Sequence, residues 1–315
     1  MKIIALAGGV GGAKLVDGLA AVLPPTDLTV IVNTGDDFDH LGLRICPDLD
    51  TVFYTLAGLA DPQRGWGRAD ESWHFLEEIE RFGGPAWFKL GDRDLAMHVE
   101  RTHRLRAGES LSEVTSSLRQ ALGVQVRILP MTDDRVETLV HATGETLTFQ
   151  EYFVARRAEP AVRGFEFQGV EHAKPAPGAL EAIDEADLAI LCPSNPWVSL
   201  DPILAIPGIR QALRSRPVIG VSPIIGGKAV KGPAAKIYAE MGMEPSALAV
   251  ARHYKDLLRG WMIDTQDADL VEPIRILGIE PRLSDILMVD RDDRRRLAEE
   301  LLQYARDLLE GEATR

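Results

Sequence analysis

The sequence predicts an α/β fold: a Rossmann-like, mostly parallel sheet flanked by helices, with an inserted smaller α+β subdomain. Three observations predict it. The apolar run Lys2 to Ala7 meets a glycine-rich turn and then a helical stretch. A second apolar run, Leu28 to Val32, ends in a polar loop. The same alternation of strand and helix returns after residue 171.

Composition bounds the function. At 315 residues the chain suffices for one large α/β domain or two smaller ones. Hydrophobic residues make up 45% and charged residues 26%, as in ordinary globular proteins. The net charge of −13 argues against nonspecific nucleic-acid binding. No apolar run approaches about 18 residues, so no membrane span is expected. The first residues enter a strand directly, so no signal peptide is expected. Cys46 and Cys192 stand far apart without metal-ligand spacing, which suits a cytoplasmic protein with reduced thiols.

The first loop, Gly8-Gly9-Val10-Gly11-Gly12-Ala13-Lys14, leads into helix Leu15 to Leu23. Strand, glycine turn and helix together point free N–H groups at an anion. A tight turn alone needs fewer than four glycines in five residues. The Walker pattern fails, since Ala13 stands at its sixth position and Leu15 follows Lys14. The dinucleotide spacing fails too, because from Gly9 it ends on Lys14. A phosphorylated ligand is implied, without its identity.

After the second strand comes Asn33-Thr34-Gly35-Asp36-Asp37-Phe38-Asp39-His40. Parallel sheets bind ligands at the carboxyl ends of their strands, so this acidic loop shares an edge with the glycine loop. Pro47-Asp48-Leu49-Asp50 opens helix Thr51 to Ala57. One aspartate is expected to cap that helix, leaving the other for a metal or a hydroxyl. Trp66, Trp73, Phe75 and Trp87 concentrate the aromatics near a helix ending at Phe82 and are expected in the core. Lys89-Leu90-Gly91-Asp92-Arg93-Asp94 precedes a helix to Arg106 and is a candidate functional cluster. Ser110-Leu111-Ser112-Glu113 reads as a capping box.

Gln125 to Leu129 reads as a strand, and Glu137 to His141 with Glu145 to Thr148 as a hairpin. Phe149 to Arg157 reads as helical and Val162 to Val170 as a strand. Residues 91–170 are read as the insertion, between core segments 1–90 and 171–265. His98, His103, His141 and His172 lack metal spacing and read as structural or exposed. Strand Asp187 to Cys192 ends in Pro193-Ser194-Asn195-Pro196, and strand Pro217 to Val221 ends in a second glycine loop. In that loop Gly226, Gly227, Lys228 and Lys231 resemble a phosphate cradle; rigid turns are the plainer alternative. A mostly helical segment, 266–315, closes the chain, with a strand pair expected over Asp267 to Ile279 and a charged helix from Asp292 to Leu309.

Six motifs in order resemble the CofD/FbiA family. They are Gly8–Leu15, Asn33–Asp37, Pro47–Val52, Lys89–Asp94, Pro193–Pro196 and Ser222-Pro223-Ile224-Ile225-Gly226-Gly227. These are 2-phospho-L-lactate transferases (phosphoenolpyruvate transferase in bacteria) of coenzyme F420 biosynthesis. The resemblance implies a GDP-linked acid as donor and the deazaflavin Fo as acceptor. The ribityl hydroxyl attacks, GMP leaves, and F420-0 or its dehydro form results. It also implies Mg2+, and a homodimer. By resemblance Asn33, Thr34, Asp36, Asp50, Lys89 and Asp92 face Fo. Gly9, Val10, Gly11, Gly12, Lys14, Ser194, Asn195, Gly226 and Gly227 face the nucleotide. Asp37, Asp48 and Asp50 are the metal candidates, with Asp36 beside them, and Asp50 and Asp37 the catalytic ones. Phosphoryl-type transfer needs charge neutralisation and alignment more than covalent help, which suits these residue types. Lactyl, enolpyruvyl and glyceryl donors are equally compatible with the sequence.

Two other functions compete with this reading. A sister branch of the superfamily comprises nucleotide-sugar-binding regulators with a Gly-Gly-Ser-Ser run after the acidic pair; Phe38-Asp39-His40 stands there instead. A nicotinamide oxidoreductase is disfavoured by the glycine spacing.

Overall fold

Seven parallel strands form the central sheet of the computed structural model, which describes residues 1–229 and 234–313. Lys231 of the expected second cradle lies outside the described residues. The chain runs through β1 (Ile3–Ala7), α1 (Gly9–Val22) and β2 (Leu28–Val32), then a small hairpin, β3 (Phe38–His40) and β4 (Leu43–Ile45). Helices α2 (Pro47–Leu56), α3 (His74–Arg81), α4 (Asp92–Arg106) and α5 (Leu111–Ala121) lead to β5 (Arg127–Pro130). Strands β6 (Glu137–Ala142), β7 (Glu145–Thr148) and β8 (Val162–Gln168) form a separate antiparallel sheet. Next come α6 (Ala179–Glu185), β9 (Leu188–Leu191), α7 (Asp201–Ala205), α8 (Ile209–Leu213) and β10 (Val218–Val221). A second hairpin, β11 (Ile224–Ile225) and β12 (Lys228–Ala229), precedes α9 (Ala234–Glu240) and α10 (Ala247–His253). The chain ends with β13 (Gly260–Asp264), α11 (Val271–Ile276), β14 (Glu280–Ser284) and α12 (Arg291–Ala313).

The sheet order is β14-β13-β10-β9-β1-β2-β5. From β1 the chain steps to β2 on one side, then returns to β9 on the other. The switch point therefore falls between β1 and β9, where Ile3 to Leu6 pair with Leu188 to Leu191. All five residues of β1 are buried. Ile3, Ala5 and Ala7 join one apolar face; Ile4 and Leu6 join the other. Burial on both faces explains why these strands read as unbroken apolar runs.

Several expectations need correction. The glycine segment is barely a loop: Gly8 is extended, Gly9 has φ +63°, and the helix has already begun. Strand β5 and helix α5 show that the stretch after residue 91 contributes to the main sheet and its cover; the separate sheet begins at Glu137. In place of the strand pair expected over Asp267 to Ile279, a 3-10 turn and helix α11 run to Ile276, followed by a turn; Asp264 caps the 3-10 turn by accepting from the Gln266 N–H at 3.0 Å. The paired strands flanking it, β13 and β14, were not foreseen. Trp66 is exposed, and Trp73, Phe75 and Trp87 are half-buried outside the main core. The Arg64 guanidinium lies 5.2 Å from the Trp66 ring and 5.0 Å from the Trp73 ring, so cation–π contact replaces burial. The capping box at Ser110 and Glu113 is present as read.

Candidate functional site

The carboxyl edge of the sheet gathers the polar segments. Asn33 is its hub and is fully buried. Its amide nitrogen donates to Asp36 Oδ1 at 2.9 Å, to Asp48 Oδ2 at 2.9 Å and to the Val198 carbonyl at 3.0 Å. Its amide oxygen accepts from the Gly35 N–H at 2.8 Å. Gln150, from beside the antiparallel sheet, donates to Asp36 Oδ2 at 3.0 Å. The acidic loop is interior: Asn33, Thr34, Asp36 and Asp37 are all buried.

Helix α2 delivers Asp48 and Asp50. Neither caps it, since its N-cap is Cys46 without a side-chain hydrogen bond; that expectation is corrected. Asp48 Oδ1 instead accepts from the Gly9 N–H at 2.6 Å, at the start of α1. A helix leaves its first N–H groups without partners inside the helix, and a carboxylate there is favoured by the dipole. Gly8 is held by Ser194, whose hydroxyl accepts from the Gly8 N–H at 3.2 Å and donates to its carbonyl at 2.8 Å. A Cβ at Gly11 would overlap the Pro193 carbonyl oxygen, and one at Gly12 would lie 2.6 Å from Ser194 Oγ. Three of the four glycines therefore allow α1 to approach Asp48 and the loop after β9.

Asp50 points into α4. Arg101, itself 1% exposed, places Nη1 3.1 Å from Asp50 Oδ2 and Nη2 on Oδ1. His98 lies behind this pair, with Nδ1 3.6 Å from Asp50 Oδ2 and Nε2 3.2 Å from Asp94 Oδ1. The Tyr54 hydroxyl donates to Asp94. Asp50, Asp94 and His98 are close enough to hold a metal ion, with Arg101 already on both oxygens of Asp50. Asp37 contrasts with Asp50: it is buried, no N–H or O–H donor reaches either oxygen among the described residues, and the Cys46 thiol is the one hydrogen-bonding group beside it. Its nearest ion pair is Arg44 at 3.8 Å.

Burial dominates the electrostatics. It pushes the Asp37 carboxyl up to about 7, against the Arg44 charge. It pushes Asp48 up to about 6, against hydrogen bonds from Asn33 and Gly9. It raises Asp36 well above the carboxylate range, and Asp48 and Asp37 add to the shift. Burial also works against the charge of Arg101, but Asp50 overrides it and keeps the guanidinium protonated. The raised carboxyls hold protons more tightly folded than unfolded. Their contribution to stability is full below about 4 and is lost as pH rises through 6–7. Metal-free protein should therefore melt lower at pH 8 than at pH 5, and Asp37→Asn should flatten that slope; calorimetry across this range checks both.

Other expected residues serve the scaffold. Asp92 accepts from Ser72 Oγ at 2.7 Å and from the N–H groups of His74 and Phe75 at 3.2 and 3.0 Å. Glu71 returns the favour at the start of α4, accepting from the Arg93 and Asp94 N–H groups. Lys89 is exposed. Lys14 donates to the Met288 carbonyl, so its ammonium faces the segment before α12. Asn195 Oδ1 accepts from the Trp197 N–H at 3.1 Å. Gly226 and Gly227, with φ +53° and +73°, form the two-residue turn of the β11–β12 hairpin. The Gly226 N–H donates to both oxygens of Asp267 at 3.1 Å. Turn chemistry accounts for both of these glycines.

Sequence reading includes Asp94 in a candidate cluster but misses Arg101, Tyr54 and Gln150, and takes His98 as structural or exposed. The signal was the spacing. Asp94, His98 and Arg101 stand at i, i+4 and i+7, which puts them on one face of α4. Arg93, Ala96 and Glu100 on the other faces are exposed.

Comparison with known proteins adds to this geometry. A family model described as "2-phospho-L-lactate transferase CofD" matches residues 3–302. The phosphoenolpyruvate transferase of Streptomyces coelicolor is 49% identical, over 99% of this chain and 100% of that relative. The phosphoenolpyruvate transferase of Thermobifida fusca is 47% identical over 98% of this chain and 99% of that one. That of Mycobacterium bovis is 43% identical over 92% and 94%. A crystal structure of a UPF0052 family member from Bacillus halodurans aligns with a TM-score of 0.62, covering 96% of this chain and 98% of that one. At 16% identity that likeness speaks to the fold alone.

Proposed function

The chain belongs to the CofD family of 2-phospho-L-lactate transferases, and on that premise we propose that it transfers an organic-acid phosphate from a GDP-linked donor to the ribityl hydroxyl of Fo. Phosphoenolpyruvyl is the favoured donor group, because the similar bacterial relatives carry that name. The products are GMP and dehydro-F420-0, or F420-0 from a phospholactyl donor. The reading includes a cytoplasmic homodimer, as the family resemblance implies.

The observation that carries it is the buried acidic set held against the first turn of α1 at the switch point. That set fits Mg2+. Asp37 has both oxygens open. Asp50 retains acceptor capacity, since an ionised carboxylate offers about four lone-pair sites. Mg2+ binds through one or two carboxylates plus substrate phosphates. By the family resemblance Asp37 and Asp50 would hold it; among the described residues the group of three candidate ligands within reach of one another is Asp50, Asp94 and His98. When bound, the ion would neutralise charge on the diphosphate.

The chain's own residues do the rest. By the family resemblance the Gly9–Gly12 segment, with Lys14, would face the diphosphate, and Ser194, Asn195, Gly226 and Gly227 the nucleotide; the Gly9 N–H is already given to Asp48, so Asp48 would have to share or release it. Asn33, Thr34, Asp36, Lys89 and Asp92 line the side that takes Fo. The hydroxyl oxygen forms a bond to the phosphorus carrying the acid, and the bond to the GMP oxygen breaks. The transition state of such transfers is loose, so the hydroxyl proton leaves late and one carboxylate of the set suffices to take it. Incubation with Fo, Mg2+ and a panel of lactyl, enolpyruvyl and glyceryl GDP donors tests the reading by mass detection. One donor should yield product with GMP in equal amount; no product from any donor overturns it.

A further inference from the structure

Arg101 and Asp50 form a two-point pair inside the protein, closed from behind. His98 Nδ1 is 3.3 Å from Arg101 Nη1, and Asp94 and Tyr54 back the histidine. A guanidinium–carboxylate fork is strong and directional. It leaves Asp50 neutralised, while the buried Asp37 carboxylate receives no N–H or O–H donor among the described residues. A cation approaching this acidic set meets one open carboxylate and one already paired with a fixed positive charge.

We propose that Arg101 is a positioning residue that competes with the divalent cation for Asp50, so that the cation binds weakly until a diphosphate donor supplies further oxygen ligands. The inference rests on the transferase reading above. Its physical basis is simple. A permanent positive charge in contact with a ligand opposes a second cation there, and Mg2+ is commonly completed by substrate phosphates. The guanidinium cannot lose its charge at working pH. Arg101 is also packed too deeply to swing into solvent. The fork then serves two ends: it fixes the direction of Asp50, and it ties cation loading to arrival of the donor.

The test is a Mg2+ and Mn2+ titration of substrate-free protein by calorimetry, on the parent, Arg101→Gln and Arg101→Lys. Arg101→Gln should bind the cation about tenfold more tightly without donor, the scale on which residues behind metal ligands act. Its kcat should fall while the donor KM changes little. Arg101→Lys keeps the charge but loses the fork, and should lie between. A merely structural arginine would instead weaken cation binding and activity together. Folded Arg101→Gln with parental or weaker cation affinity overturns the proposal. If that variant does not fold, Arg101→Lys decides: tighter binding supports the proposal, and parental or weaker binding overturns it. The titration uses neither Fo nor donor, so failure of the transferase reading shows separately, as absence of product from the parent.

Discussion

Asp37→Asn should lower turnover by about 10²–10³-fold and, in the same protein, raise the melting temperature at pH 8. The two effects share one cause. The carboxylate is buried without an N–H or O–H donor among the described residues, and burial holds its carboxyl up to about 7. Such a charge costs stability, and an isosteric amide removes that cost. Arg44 keeps a partner after the change, since Asp39 lies 3.7 Å away. The open oxygens that make Asp37 expensive also make it the readiest site for a cation. Steady-state kinetics and calorimetry without metal measure both sides. A parental kcat, or a lower melting temperature, would contradict the role given to Asp37.

Gly11→Ala should destabilise the protein by about 2–3 kcal/mol, or about 3–5 °C in melting temperature for a chain of this length. The sign is informative, because glycine to alanine inside a helix ordinarily stabilises. Here the new Cβ would overlap the Pro193 carbonyl oxygen, which is backbone and has no rotamer to yield. Helix α1 and the loop after β9 would be forced apart at the switch point. Gly164 is the control: nothing lies within 4 Å of a Cβ there and its φ is not positive, so Gly164→Ala should melt as the parent does. Equal melting of the two variants would show that the close approach does not matter.

The fold was largely legible because β1, β2, β9 and β10 are buried on both faces and read as continuous apolar runs. Strands β13 and β14 escaped notice for a physical reason. Gly260 and Trp261 open the first, and the second alternates through Pro281 and exposed Leu283 at the sheet edge. The acidic set was legible from strand ends alone. Its partners were not, because they arrive from distant elements: Arg101 lies 51 residues from Asp50, and Gln150 lies 114 from Asp36. Glycines misled in a consistent way. Spacing shows that a residue has no side chain, but not whether the space is taken by a ligand or by the protein itself. At Gly8, Gly11 and Gly12 the protein takes it, and at Gly226 and Gly227 a turn explains the choice.

Helix α1 packs along α12, and its side chains Leu15, Val16 and Leu19 share one apolar face with Leu297, Ala298 and Leu301. Arg294 pairs with Asp17 at 2.9 Å, and its carbonyl sits where a Cβ of Gly18 would be. Contacts between segments so far apart form late, after the loop between them has closed. On the ribosome the α12-facing side of the first helix is therefore the last of its surfaces to be covered. The start of α1, by contrast, meets Asp48 and Ser194, both made long before α12.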